Sequence, residues 1–310
     1  MSLYAPPVDK ETEIWTELPD AFRRHGVEPD WGRGNRPGVA IDSFLEGPSF
    51  DRQGNLYVTD IPYGRIFRIS PDRTWTLVCE YDGWPNGLKI HRDGRIFITD
   101  YKYGIMQLDA VKGEVTPFLV HRKSESFRGV NDLFFDAHGR MYFTDQGQTG
   151  MHDPTGRVYR YDLEADKLDL LVTNGPSPNG LVMNPAQDVV YVAMTRGNAV
   201  WRVPIHPDGG TSKVSIFTAM AGGHSGADGM SVDTDGRLFV CDAGNGCVWV
   251  FTHEARPVYR LNAVSGGRST TNVAFGGPDN RDLFITESST GTILKVTMDV
   301  AGETMFSHRD

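Results

Sequence analysis

The chain has 310 residues, a formal net charge of −9, 23% charged and 39% hydrophobic residues, and 35 glycines. These are globular proportions and exclude a disordered chain. The acidity argues against a nucleic-acid partner, which needs a basic face. No run of about 18 apolar residues is present to span a membrane. The first residues lack the basic and apolar regions of a secretory signal, so a cytoplasmic protein is expected.

In chain order, Thr12–Leu18 (TEIWTEL) has strand character. Residues 19–43 are rich in Gly and Pro and hold His25, Trp31 and Arg33; this extension reads either as a lid over a channel mouth or as a wrapping segment. One phrase then recurs six times: EGPSFDRQGNLYVTD from Glu46, PNGLKIHRDGRIFITD from Pro85, VNDLFFDAHGRMYFTD from Val130, PNGLVMNPAQDVVYVAM from Pro178, ADGMSVDTDGRLFVCD from Ala227 and TNVAFGGPDNRDLFITE from Thr271. The starts lie roughly 40 to 50 residues apart, a propeller-blade period.

Each copy runs a short apolar segment into a turn such as RQGN, RDG, AHG or TDG, and then into an alternating strand. A third strand follows (GRIFRIS, YGIMQLD, GRVYRYD, NAVWRVP, GCVWVF, GTILKV), and a fourth in most copies (TWTLVCEY, VTPFLV, LDLLV, VSIFTAM, PVYRLNAV). Frequent Pro and Gly exclude long helices. The reading is a single all-β domain over 1–310, a six-bladed β-propeller with four antiparallel strands per blade. The last copy runs out near the C-terminus, so the N-terminal strand is expected to close the last blade. The three cysteines, Cys79, Cys241 and Cys247, match no zinc spacing and are expected as reduced, mostly buried thiols.

In a propeller the first strand of each blade lines the channel, so equivalent positions converge on the axis. Aligned on the residue before the turn (Asp51, His91, Asp136, Asn184, Asp233, Gly277), the position five residues earlier is Glu46, Asn86, Asn131, Asn179, Asp228 and Asn272. All six are carboxylates or carboxamides, types depleted in strands. Asn86-Gly87, Asn179-Gly180 and Asp228-Gly229 also read as turn formers, which does not account for Glu46 or for one residue class in all six frames. A ring of hard oxygen donors with two formal negative charges suits a divalent cation, Ca2+ first, with Zn2+, Mn2+ or Mg2+ as alternative occupants. Zinc would be expected to recruit His or Cys, which no frame position offers.

These residues resemble the SMP-30/gluconolactonase/LRE family of calcium-dependent six-bladed propellers. The resemblance runs from about Phe44 to Val296 and rests on Glu46-Gly47-Pro48, Asn131-Asp132, Asn179-Gly180-Leu181 and Asp228-Gly229-Met230, in that order. It implies hydrolysis of sugar and other lactones, with Glu46, Asn179 and Asp228 on the metal and Asn131 either completing the shell or contacting substrate. Some sugar lactonases bind substrate with an arginine upstream of the Asn-Asp pair; Arg128 is the nearest match here, three residues before Asn131, where those relatives place it one residue closer. Asn86 and Asn272 are assigned on the frame alone, as supporting or substrate contacts.

The expected reaction is water attack at a lactone carbonyl polarised by the cation. Asp228 binds metal and takes the proton, Glu46 is the alternative base, and Asp228 as an anionic nucleophile is the competitor. His224, four residues before Asp228, either reaches the channel mouth as a substrate contact or is a solvated loop residue. Arg196 and Gln146 follow second strands and face either the mouth or bulk solvent. Asp60, Asp100, Asp145 and Asp242 are expected to bond neighbouring turns or strands. The partner is a small lactone or ester, and the chain a monomer or small homo-oligomer. Two alternatives stay open: a lyase, isomerase or phosphotriesterase on the same metal site, or a non-catalytic binding propeller with a structural metal.

Overall fold

A computed structural model describes residues 5–220 and 226–309. The first five repeats each supply four antiparallel strands in sequential order, and the sixth supplies three. Blade one comprises Leu45–Phe50, Leu56–Asp60, Arg65–Ile69 and Trp75–Glu80. The inner strands of the other blades are Pro85–Ile90, Val130–Phe135, Pro178–Met183, Gly226–Val232 and Thr270–Gly276. Each inner strand touches the next, and that of blade six touches that of blade one, so the ring is closed. This is the expected six-bladed propeller. The tight turns sit where the repeat put them, with Gly54, Gly94, Gly139 and Gly236 at positive φ; Gln187 and Asn280 take that conformation in blades four and six.

The sequence-predicted closure is present. Blade six has three C-terminal strands, and Glu13–Glu17 pairs antiparallel with Thr292–Thr297 as its fourth. The alternating pattern of this strand aims Trp15 inward, edge-on to Phe284 at 5.0 Å. The preceding segment, Val8–Glu11, adds a fifth strand to blade five, parallel to Pro257–Asn262. Its side chains are mostly exposed, so it lacks the alternation that would have announced it.

The core lies between blades, where the apolar faces of adjacent sheets meet. Thr59 Oγ1 donates to the carbonyl of Asn86 (2.6 Å), Thr144 to that of Asn179 (2.7 Å) and Thr195 to that of Ala227 (2.8 Å). Each hydroxyl reaches from the end of one blade's second strand to the next blade's inner strand. The acid after the threonine binds its own blade: Asp60 accepts the Phe44 amide (2.7 Å), Asp100 that of Trp84 (3.0 Å) and Asp145 those of Arg128 and Gly129. Arg65 lies buried on Asp60, and the half-buried Arg157 pairs with Asp145.

The extension packs over the end of the ring from which the inner strands start. A short helix, Asp30–Asn35, seats Trp31 on Phe44 (4.9 Å between centroids), in a cluster with Ile41 and Ile61 against which Trp84 packs. Arg36 follows, its guanidinium over the Phe44 ring and bonded to Ser269 Oγ at 2.9 Å. At the opposite end the C-terminal tail crosses the channel. Phe306 packs on His91 and Phe135, and Arg52 donates to the Ser307 carbonyl at 2.7 Å. Cys79, Cys241 and Cys247 are buried free thiols, as expected. Among the described residues no helix is long and apolar enough to cross a membrane.

Candidate active site on the channel axis

The six aligned donors all lie on inner strands and all are buried. The local device that presents them is the same in every blade. Between inner and second strand the register slips by one residue at or next to the donor: between Glu46 and Ser49, Pro85 and Leu88, Val130 and Leu133, Pro178 and Leu181, Ala227 and Met230, and Thr270 and Asn272. A β-bulge of this kind re-aims a side chain out of the ladder. The Asn-Gly and Asp-Gly pairs are therefore strand residues, and their turn reading is set aside. Their glycines let neighbouring strands close on the axis: a Cβ on Gly180 would stand 2.5 Å from the Asp228 carbonyl, and one on Gly47 2.5 Å from that of Asn86.

In this column of glycines (Gly47, Gly87, Gly180, Gly229) blade three alone carries an acid, Asp132. It is a site residue that the frame alignment missed. Its carboxylate occupies the space a Cβ on Gly87 would need. Asn272 ties two acids together: its Nδ2 donates to Glu46 Oε2 at 2.8 Å and to Asp132 Oδ2 at 3.2 Å, while its Oδ1 accepts the Val273 amide. Asn272 thus bridges carboxylates contributed by blades one and three.

Three buried carboxylates, Glu46, Asp132 and Asp228, lie within electrostatic reach of one another. Burial, then the Asp132 charge, push Glu46 up to about 7, against the Gly47 amide, Asn272 and Lys89, which favour its ionised form. Burial and the charges of Glu46 and Asp132 hold Asp228 well above the usual carboxylate range; Arg36 and Arg196 act the other way. Burial also raises Asp132, opposed by Lys89. Lys89 reaches in from the inner strand of blade two, its Nζ 3.3 Å from the Pro48 carbonyl. Beyond Asp132 and Lys89 the axis ends in a cavity of about 40 Å³, floored by Met305 and Phe306.

Asn131 donates through Nδ2 to Gln146 Oε1 at 3.1 Å, and Gln146 is held in turn by Ser177. The Asn131 Oδ1 is buried with no hydrogen-bond partner. A buried acceptor without a donor is costly, and an oxygen so placed beside crowded carboxylates fits a hard cation. Among the described residues no three His, Cys, Asp or Glu are spaced to chelate an ion alone, so a cation here would draw on amides as well as acids. Arg128 is not brought to the axis: its guanidinium bonds the carbonyl and hydroxyl of Thr155. His224 lies outside the described residues. Gln146 faces the site through Asn131, and Arg196 is exposed but contributes its charge to Asp228.

A closed ring of six sheets, each with a buried acid or amide at the same inner-strand position, and with Glu46, Asp132 and Asp228 close enough to act on one another, defines a propeller with a buried central carboxylate cluster. The chain belongs to the SMP-30/gluconolactonase/LRE-like family, whose model matches residues 44–289. It is 30% identical over 230 residues to lactonase drp35 of Staphylococcus aureus, spanning 70% of this chain and 69% of the relative. Among solved structures it resembles a gluconolactonase from Xanthomonas campestris (TM-score 0.72, 20% identity, 84% and 86% of the two chains). It likewise resembles a calcium-binding regucalcin from Agrobacterium tumefaciens (TM-score 0.73, 22% identity, 86% and 94%).

Proposed function

We propose that this chain is a calcium-dependent lactone hydrolase whose site is the axial cluster. The observation that carries the reading is the convergence of Glu46, Asp132 and Asp228 beside the unpartnered Asn131 oxygen. Glu46, Asn131, Asn179 and Asp228 would hold the cation, which when bound supplies charge neutralisation and Lewis-acid polarisation of a carbonyl. Membership of a family that includes a lactonase and a gluconolactonase supports the same substrate class.

Asp228 is the residue best suited to move the proton. It is buried in the centre of the ring beside Glu46 and Asp132, where an attacking water would have to be deprotonated. It accepts the proton of the attacking water as the carbon–oxygen bond forms at the lactone carbonyl. It returns that proton to the ring oxygen as the ester bond breaks, leaving a hydroxy acid. Asn272 and Lys89 hold Glu46 and Asp132 in place below it. The extension, seated on Phe44 and carrying Arg36 toward Asp228, serves as the lid over the mouth. The test is turnover of five- and six-membered lactones with and without chelator. Activity should fall by about 100-fold or more without calcium, and as far in Asp228→Asn. A stripped protein that works at full rate would refute the reading.

A further inference from the structure

A second ring lies on the tail side of the donors. One ladder position of the inner strands stands opposite a Tyr or Phe of the second strand in every blade, and it holds Ser49, Lys89, Phe134, Val182, Ser231 and Ala274. All six line the cavity of about 40 Å³, with Asp132 on the donor side and Glu303 on the tail side. Lys89 is the one charged member of this ring, and Glu303 is already held by Arg309 at 2.5 Å. The Lys89 Nζ donates to the Pro48 carbonyl at 3.3 Å and, among the described residues, forms no ion pair. The Ser49 hydroxyl, in the same wall, is buried without a hydrogen-bond partner.

A carbonyl, an unpartnered hydroxyl and a carboxylate around a small cavity are oxygen donors of the kind a hard cation takes. The chain puts its own cation among them, and the charge count agrees. Glu46, Asp132 and Asp228, when ionised, carry three negative charges, of which a single divalent ion cancels two. A leftover charge in a buried site is costly. The Lys89 ammonium, which favours the ionised forms of Glu46 and Asp132, supplies the missing positive charge. The neutral members of the ring cannot.

We infer that the cavity on the tail side of the donors is a second cation site and that the Lys89 ammonium is its resident cation, standing where a second metal ion would otherwise bind. This rests on the axial-cation reading above and deepens it. The experiment is calorimetric titration of calcium into full-length, chelator-treated protein at mildly alkaline pH. Lys89→Ser removes the charge and adds a hydroxyl, and is expected to bind one calcium ion more than the wild type. Adding Asp132→Asn to Lys89→Ser should abolish that extra ion, and Lys89→Arg should match the wild-type count. Scanning calorimetry supplies a second arm. Lys89→Met keeps the length of the side chain without its charge, so the calcium-free variant should melt about 2–4 °C below the wild type, and Glu46→Gln, by removing one acid, should shrink that loss by about half or more. An unchanged ion count in folded Lys89→Ser, or a Lys89→Met loss of the same size with and without Glu46→Gln, overturns the inference and leaves the axial calcium standing. No calcium uptake by the wild type removes the axial-cation reading, and the inference with it.

Discussion

Asp132 shows what one residue of context does. In the other blades with a glycine at its position, the chain makes room; in blade three it uses that room for a third carboxylate. The six-frame alignment finds one donor per blade and passes over Asp132 because it lies one step off the frame. Its signal was an acid in a glycine column. Removing one charge from the cluster should separate function from stability. Glu46→Gln is expected to raise the melting temperature of calcium-free protein by relieving repulsion, while abolishing the stabilisation calcium brings; differential scanning calorimetry with and without chelator checks both. The pH dependence follows from the direction of the same shift. Glu46 is raised from 4.5 to about 7, so between those values the folded chain binds more protons than the unfolded one. The stability tied to that proton is fully present below the unfolded value and is lost as pH rises through about 7. Calcium-free protein should therefore melt lower at neutral than at mildly acidic pH, and Glu46→Gln should flatten that slope.

At the scale of the strand and blade, the repeat was legible because hairpin turns and alternating strands leave a periodic mark. The inner-strand bulge was not, since a slip in register has no residue type of its own. The glycines after the donors therefore read as turn formers until the neighbouring strand was seen against them. Gly180→Ala would push a methyl into the Asp228 carbonyl. It should cost about 1–3 kcal/mol in denaturant unfolding and reduce calcium affinity, because the strand that moves carries Asp228. Thr144→Val keeps the shape but strands the buried carbonyl of Asn179, and should cost about 1–3 kcal/mol. The role of the Thr-Asp ending could be anticipated only in kind. A strand-terminal acid signals a local bond, but its partner is the amide of a residue 16 or 17 positions away.

For the whole molecule, the ring is held shut by a strand from the other end of the chain. That was readable from a count, since five copies supply a fourth strand and the last does not. The extra strand of blade five and the C-terminal tail left no such deficit and no pattern. The two N-terminal strands should differ sharply on truncation. A chain starting at Thr12 loses only an exposed edge, and should keep a cooperative thermal transition. A chain starting at Leu18 opens blade six and uncovers Phe284, and should fail to accumulate as folded protein.

The tail under His91 and Phe135 has one more consequence. A propeller is by construction a tube, and this one is corked. Any molecule that reaches Asp228 must leave by the door it came through, past Arg36. On the hydrolase reading proposed above, entry and exit share one mouth, and product departure as well as bond breaking can set the pace of turnover.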